Sequence, residues 1–260
     1  MNIIYILIFF FLVVSIFFYH KCQEYENYLL EPYITIYARD GLNNKLRVML
    51  AYLFKANNEN KKLRVIWIKD EQCPENFDKL FEPLKNVEFF YTNEKIPNNQ
   101  IDFNIGWSSE EGFIINKYFK HLKPLKNIQD DINKTIDLLK TSDNLDYISC
   151  HIRRTDIFTL AKYFDTSFSI NQDDEYIKFI DEQPNNLKIY IATDNEDTQQ
   201  KFIDIYGSRM IYKKIIKSDQ LRQTSIQDVV KDMYVCAGSK YFMGSPWSSV
   251  TDTINELRKL

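Results

Sequence analysis

The stretch Tyr147-Ile148-Ser149-Cys150-His151-Ile152-Arg153-Arg154-Thr155-Asp156 governs how the rest of the chain is read. Its apolar first half suits a short strand, and it ends in a polar series built on His151, Arg153, Arg154 and Asp156. In an α/β sheet, ligands bind just beyond the carboxyl ends of the strands. Two adjacent arginines at such an end need an anion, and their planar forks suit phosphate or carboxylate oxygens. A surface ion-pair cluster would explain an Arg-Arg pair as well, so the sequence further along has to discriminate.

Two more strand-to-polar transitions follow. The apolar run 187–192 leads into Thr193-Asp194-Asn195-Glu196-Asp197, and 241–244 leads into Ser245-Pro246-Trp247-Ser248-Ser249. Between them an amphipathic helix opens at Thr224-Ser225-Ile226-Gln227-Asp228. Ile226, Val229, Val230, Met233, Tyr234 and Ala237 share one face, and Asp228 and Asp232 fall one turn apart off that stripe.

These segments, in order, resemble the motifs of fucosyltransferases. The likeness is to the superfamily of α1,6-, α1,2-, protein O- and nodulation fucosyltransferases. It is carried by His151-x-Arg153-Arg154-Thr-Asp156, Ala-Thr-Asp194, Ser225-Ile-Gln-Asp228 with Asp232-Met, and Gly244-Ser-x-x-Ser248-Ser249. Near the N-terminus, Gly41-Leu42-Asn43-Asn44-Lys45 resembles their Gly-Leu-Gly-Asn-Arg loop, with Asn43 where that loop has glycine. The resemblance implies a GT-B-like α/β fold, with two Rossmann-like domains facing a cleft. It also implies transfer of fucose from GDP-fucose to a glycan or protein acceptor, with no separate cofactor.

Alternation along the chain agrees with parallel sheets covered by helices. Strands are expected at 33–37, 63–68, 87–91 and from about 147, 187, 209 and 241. Helices are expected at 42–56, 125–139, 174–182, 196–205, 226–237 and 249–257. The expected divisions are a transmembrane anchor over 1–22, a short stem over 23–32, an acceptor-side domain over 33–142 and a nucleotide-sugar-binding domain over 143–260. The anchor rests on the nearly unbroken apolar run 3–19, at the short end for a spanning helix. A cleaved signal peptide is the rival, but neither a basic n-region nor a small-residue cleavage site is present. Lys21 slightly favours a cytoplasmic C-terminal side, whereas the resemblance implies a lumenal catalytic domain of ER/Golgi type.

With 260 residues, 45% hydrophobic and 27% charged, the chain is globular in composition, and a net charge of −3 gives no case for nucleic-acid binding. The cysteines Cys22, Cys73, Cys150 and Cys236 permit disulfides without requiring them, and Cys150 and Cys236 suit buried apolar positions. Asn133-Lys134-Thr135 is a glycosylation sequon, usable only in a lumenal domain.

Glycosyl transfer from a nucleoside diphosphate leaves negative charge on the departing group, which positioned cations or helix N-termini must receive. No Asp-x-Asp sequence is present to hold a metal, so no metal site is expected and arginine must serve instead. The resemblance implies catalytic roles for Arg153, Arg154 and Asp156, with Arg153 on the β-phosphate and His151 beside the donor. It implies donor contacts from Gly41, Asn44, Asp194, Asp228, Asp232, Ser248 and Ser249, with Asp232 on the guanine edge and the serine pair on the phosphates. Asp194 could instead cap the helix that follows, and Ser248 or Ser249 could simply be an N-cap. Core α1,6 enzymes carry a glutamate where this chain has Ala161, which leaves the general base open between Asp156 and Asp165. Transfer from another nucleotide sugar, or an inactive membrane-anchored binding module, stays open on the same motifs.

Overall fold

A computed structural model describes residues 12–21, 33–94, 118–141, 145–155, 171–215 and 224–260. Two parallel sheets organise them. The first has strands β1 (Tyr33–Ala38), β2 (Lys62–Ile68) and β3 (Val87–Thr92) in the order β1-β2-β3. Helix α1 (Leu42–Asn58) makes the crossover from β1 to β2. The second sheet contains β4 (Ile148–Ile152), β5 (Ile189–Thr193), β6 (Met210–Ile211) and β7 (Tyr241–Met243) in the order β6-β5-β4-β7. Its helices are α3 (Asp173–Asp181), α4 (Glu196–Tyr206), α5 (Ile226–Ala237) and α6 (Ser249–Leu257), while α2 (Lys126–Leu139) lies between the two sheets in sequence. Every expected strand and helix among the described residues is present, within a few residues of its expected bounds.

Burial explains the strand sequences. All five residues of β4 and of β5 are buried, as for central strands covered on both faces. Ile148, Cys150 and Ile152 pack with Tyr176, Ile180 and Phe202 of α3 and α4. The alternate residues turn to the opposite face, where Ser149 bonds to Ser239 at 2.7 Å and His151 to Thr251 at 2.8 Å. The strands stay parallel, but strand order reverses at β4, with β5 and β6 on one side and β7 on the other. α3 and α4 cover one face of β4, while α5 covers the other and α6 reaches it through Thr251. A crevice outside strand ends at such a reversal is where open α/β sheets bind ligands.

A single hydrophobic core joins the sheets, running from Ile34 and Val65 through Leu46, Ile254 and Val230 to Tyr190. Helix α2 packs on α5, where Lys231 meets Asp131 at 3.0 Å and the Tyr234 hydroxyl donates to the Leu122 carbonyl. Helix α1 is buried on more sides than its expected apolar face because α6 covers it as well as the sheet. Lys45 on that helix is 0% exposed. Its ammonium donates to the carbonyls of Ile68 (2.5 Å) and Cys73 (3.3 Å) and lies 5.1 Å from the Trp67 ring centroid. Burial lowers its pKa, against the opposing effects of Cys73 and Asp70. The described cysteines Cys73, Cys150 and Cys236 are free and buried.

Residues 12–21 are helical and expose Leu12, Val13, Ile16, Phe17, Phe18 and Tyr19. Among the described residues no helix is long and apolar enough to cross a membrane. Residues 1–11 and Cys22 of the expected anchor, all of the stem, Asp156 and Asp165 lie outside the described residues.

Lys45 links α1 to the segment after β2. Lys45→Ala should therefore lower unfolding free energy by about 2–5 kcal/mol, since it leaves both a cavity and two buried carbonyls short of a donor. Thermal or urea unfolding checks this.

Candidate active site

The carboxyl end of β4 is pinned by one hydroxyl. Ser245 Oγ, in the loop after β7, accepts from the Arg153 backbone N–H at 2.9 Å, donates to the His151 carbonyl at 3.1 Å and meets the Tyr176 hydroxyl at 2.9 Å. Three elements thus converge on a 4% exposed serine. Next to it, His151 Nδ1 pairs with Thr251 Oγ1 at 2.8 Å. Gly244 permits that arrangement, because a Cβ there would overlap the Thr251 side chain.

The two arginines part company. Arg153 follows the strand into the cleft, and its Nη1 donates to the Trp247 carbonyl at 3.2 Å. Arg154 corrects the expectation that both meet a ligand anion. Its guanidinium bonds to Asp173 at 2.7 Å, lies over the Tyr176 ring, and does not line the cleft. Burial pushes the Asp173 carboxyl up, but hydrogen bonds from Arg154 and Lys201 outweigh it and hold it below the usual range.

Asp194 does not cap the helix after β5. Asn195 does so, accepting from the Thr198 N–H at 2.8 Å. Asp194 instead accepts from the Arg154 N–H at 2.8 Å and the Thr155 hydroxyl at 2.5 Å, which fixes the path of the chain beyond β4. It also reaches the cleft wall.

That cleft, about 400 Å³, lies between the β1–α1 junction and the β4, β5 and β7 ends. Of the residues expected to contact the donor, it gathers Gly41, Asn44, His151, Arg153, Asp194, Asp232, Ser248 and Ser249. Asp228 is not among them. It forms a capping box with Ser225, pairs with Lys213 at 2.8 Å, and lines a side cavity of about 210 Å³ that shares Thr193, Thr224 and Asp232 with the cleft. Asp232 is half-buried and accepts from the Tyr190 hydroxyl at 2.5 Å. Burial raises its pKa to about 7, against the hydrogen bond from Tyr190 that favours the charged form.

Several cleft residues were not anticipated: Arg47 and Asp252, which face each other from α1 and α6, and Asn43, Thr193 and Trp247. Trp247 has a left-handed backbone (φ 56°), rare for a non-glycine residue, and is 63% exposed. Asn43 takes up helical backbone at the start of α1, so the left-handed conformation tolerated by asparagine is not used there. The left-handed residue is Asp40 (φ 66°). Asn43 Oδ1, Thr193 Oγ1 and Ser248 Oγ are all buried without a hydrogen-bond partner. Ser248 sits at the N-cap of α6, yet its hydroxyl makes no capping bond. Buried polar groups are normally satisfied, so three orphans around one cavity mark a place for a polar ligand. Among the described residues no group of three or more His, Cys, Asp or Glu side chains could hold a metal ion.

No protein-family model matches the chain, and no curated protein matches its sequence. Solved structures do match its fold. A NodZ α-1,6-fucosyltransferase soaked with GDP-fucose aligns with a TM-score of 0.62 at 15% identity, over 87% of this chain and 92% of that one. Fucosyltransferase NodZ from Bradyrhizobium aligns with a TM-score of 0.59 at 15% identity, over 86% and 92%. POFUT1 in complex with GDP-fucose aligns with a TM-score of 0.61 at 12% identity, over 88% and 95%. The chain therefore has a fucosyltransferase-like fold.

Ser245→Ala should cost about 1–3 kcal/mol of stability, because it strands the Arg153 N–H and the His151 carbonyl in a buried place. The midpoint of thermal unfolding reads this.

Proposed function

We propose that this chain is a glycosyltransferase that moves fucose from GDP-fucose to a glycan or protein acceptor, with inversion and without a metal or other cofactor. What carries the reading is the convergence of Gly41, Asn44, His151, Arg153, Asp232, Ser248 and Ser249, from widely separated segments, on one cavity with orphaned buried polar atoms. The GDP and GDP-fucose complexes of NodZ and POFUT1, which share the fold, support the choice of donor. Residues 33–142 and 143–260 are read as the two Rossmann-like halves of a GT-B arrangement, and residues 1–22 as a membrane anchor holding the catalytic part in an ER/Golgi-type lumen.

In this reading an acceptor hydroxyl oxygen attacks C1 of the fucosyl group while the bond from C1 to the β-phosphate oxygen breaks. GDP leaves, and the acceptor proton passes to a carboxylate, for which Asp156 is the candidate nearest to β4 in sequence. The Arg153 guanidinium, steadied by the Trp247 carbonyl, receives charge on the departing diphosphate. The free N–H groups of the first turn of α6 and the Ser248 hydroxyl supply neutral donors to the same oxygens. Asp232 accepts from guanine N1–H and the 2-amino group, two adjacent donors that uracil and adenine do not jointly present. Its bond from Tyr190 still leaves lone pairs on the carboxylate. Arg154 and Asp194 act indirectly, with Asp194 fixing Arg154 and Thr155 at the end of β4.

Calorimetric titration with GDP and UDP tests the donor reading. The parent protein should prefer GDP, and Asp232→Ala should weaken GDP by about 10- to 100-fold. Equal affinity for the two nucleotides would defeat the guanine assignment. The Asp232 carboxyl, raised to about 7, must lose its proton to accept both guanine donors, so GDP affinity should rise as pH increases from 6 to 8 in the parent. That rise should vanish in Asp232→Asn.

With labelled GDP-fucose and a glycan array, transfer should survive EDTA, while Arg153→Lys should lose about 10²–10³ in rate, since lysine keeps the charge without the bidentate fork. Activity abolished by chelator and restored by manganese would sink the metal-independent mechanism.

A further inference from the structure

Asn43 is the unabsorbed feature of the cleft. It is the second residue of α1, enters the cavity from the β1–α1 side, and is 2% exposed. Its Oδ1 is buried with no hydrogen-bond partner. An asparagine gains nothing there from the fold itself: Gly41 occupies the N-cap, and no hydrogen bond from Asn43 braces the helix start. A buried acceptor left in this state keeps an uncompensated desolvation cost, which a ligand donor would recover.

The chemistry of the cleft limits what that donor can be. Diphosphate oxygens carry no hydrogen to donate, and in the proposed function they belong with Arg153 and Ser248, contributed by the other sheet. The guanine donors belong with Asp232. Two hydroxyl-bearing parts of a nucleotide sugar remain. The ribose joins the guanine to the diphosphate and so lies with Asp232 and Ser248, while the transferred sugar ring beyond the diphosphate is left for the β1–α1 side. Hydroxyls both donate and accept. A hydroxyl therefore satisfies the Asn43 amide whichever way the amide is turned, whereas a phosphate oxygen satisfies only the Nδ2 side. We infer that Asn43 is a specificity-determining residue that hydrogen-bonds a hydroxyl of the transferred sugar. A glycine in its place would leave that hydroxyl to water, so the asparagine gives this chain a sugar contact that the Gly-Leu-Gly-Asn form of the loop lacks.

The inference rests on the donor reading above, and one set of titrations separates the two. The parent protein and Asn43→Ala are each titrated with GDP and with GDP-fucose, and the unfolding midpoint of each is recorded. Asn43→Ala should bind GDP within about twofold of the parent and bind GDP-fucose about tenfold more weakly, the loss expected for one hydrogen bond to a buried group. Equal GDP-fucose affinity in the two proteins overturns the inference and leaves the donor reading standing. A parallel loss of GDP and GDP-fucose affinity also overturns it, because Asn43 would then serve the nucleotide or the helix. If the parent binds neither ligand, the donor reading fails and the sugar contact with it. Should Asn43→Ala fail to fold, Asn43→Ser, whose hydroxyl is too short to reach the same point, gives the same comparison.

Discussion

The geometry of the cleft depends on the Ser245 hydroxyl. One O–H and two lone pairs join the Arg153 N–H, the His151 carbonyl and the Tyr176 hydroxyl. This fastens the end of β4 to the loop after β7 and to α3, across the place where strand order reverses. His151 and Arg153 are thereby held on the cleft side, while Arg154 turns the other way to Asp173. Asp194 adds a second fastening by accepting from the Arg154 N–H and Thr155. Two polar pins, each satisfied within the protein, thus aim one guanidinium and withdraw its neighbour.

Against these saturated pins stands the unsaturated lining of the cavity. Asn43, Thr193 and Ser248 come from both sheets, and each leaves a buried polar atom without a partner. Asp232 belongs to the same group in a different sense, since burial raises its carboxyl to about 7 despite the bond from Tyr190, and further donors would favour its charged form. A fold pays for such groups in stability, and their concentration at one crevice is the physical signature of a site built for a polar ligand.

Much of this was legible in the sequence. Helical spacing of the apolar residues places α5, and Ser248 as a candidate N-cap places α6, both within their observed bounds. The polar strand ends identify His151, Arg153, Asp194 and Ser248 as neighbours. Cys150 and Cys236 were readable as buried apolar positions. Spacing reaches its limit at three residues. Asp228 and Arg154 stand next to the cleft without lining it, while Asp194 both lines it and holds the Arg154 N–H and Thr155, and spacing cannot tell a residue that touches a ligand from one that holds the residue that does. Asp228 and Arg154 found their counter-charges in Lys213 and Asp173, 15 and 19 residues away.

The amino-acid order alone settles the alternation of strands and helices, the parallel character of the sheets and the identity of eight of the cleft-lining residues. These follow from local periodicity and from residue chemistry at strand ends. Which arginine faces the cleft, the burial of Lys45 among carbonyls, and the place of Asn43 and Trp247 in the lining emerge from the folded arrangement alone. Those outcomes depend on which partner reaches each polar group first, and the partners are brought together by packing between segments far apart in the chain.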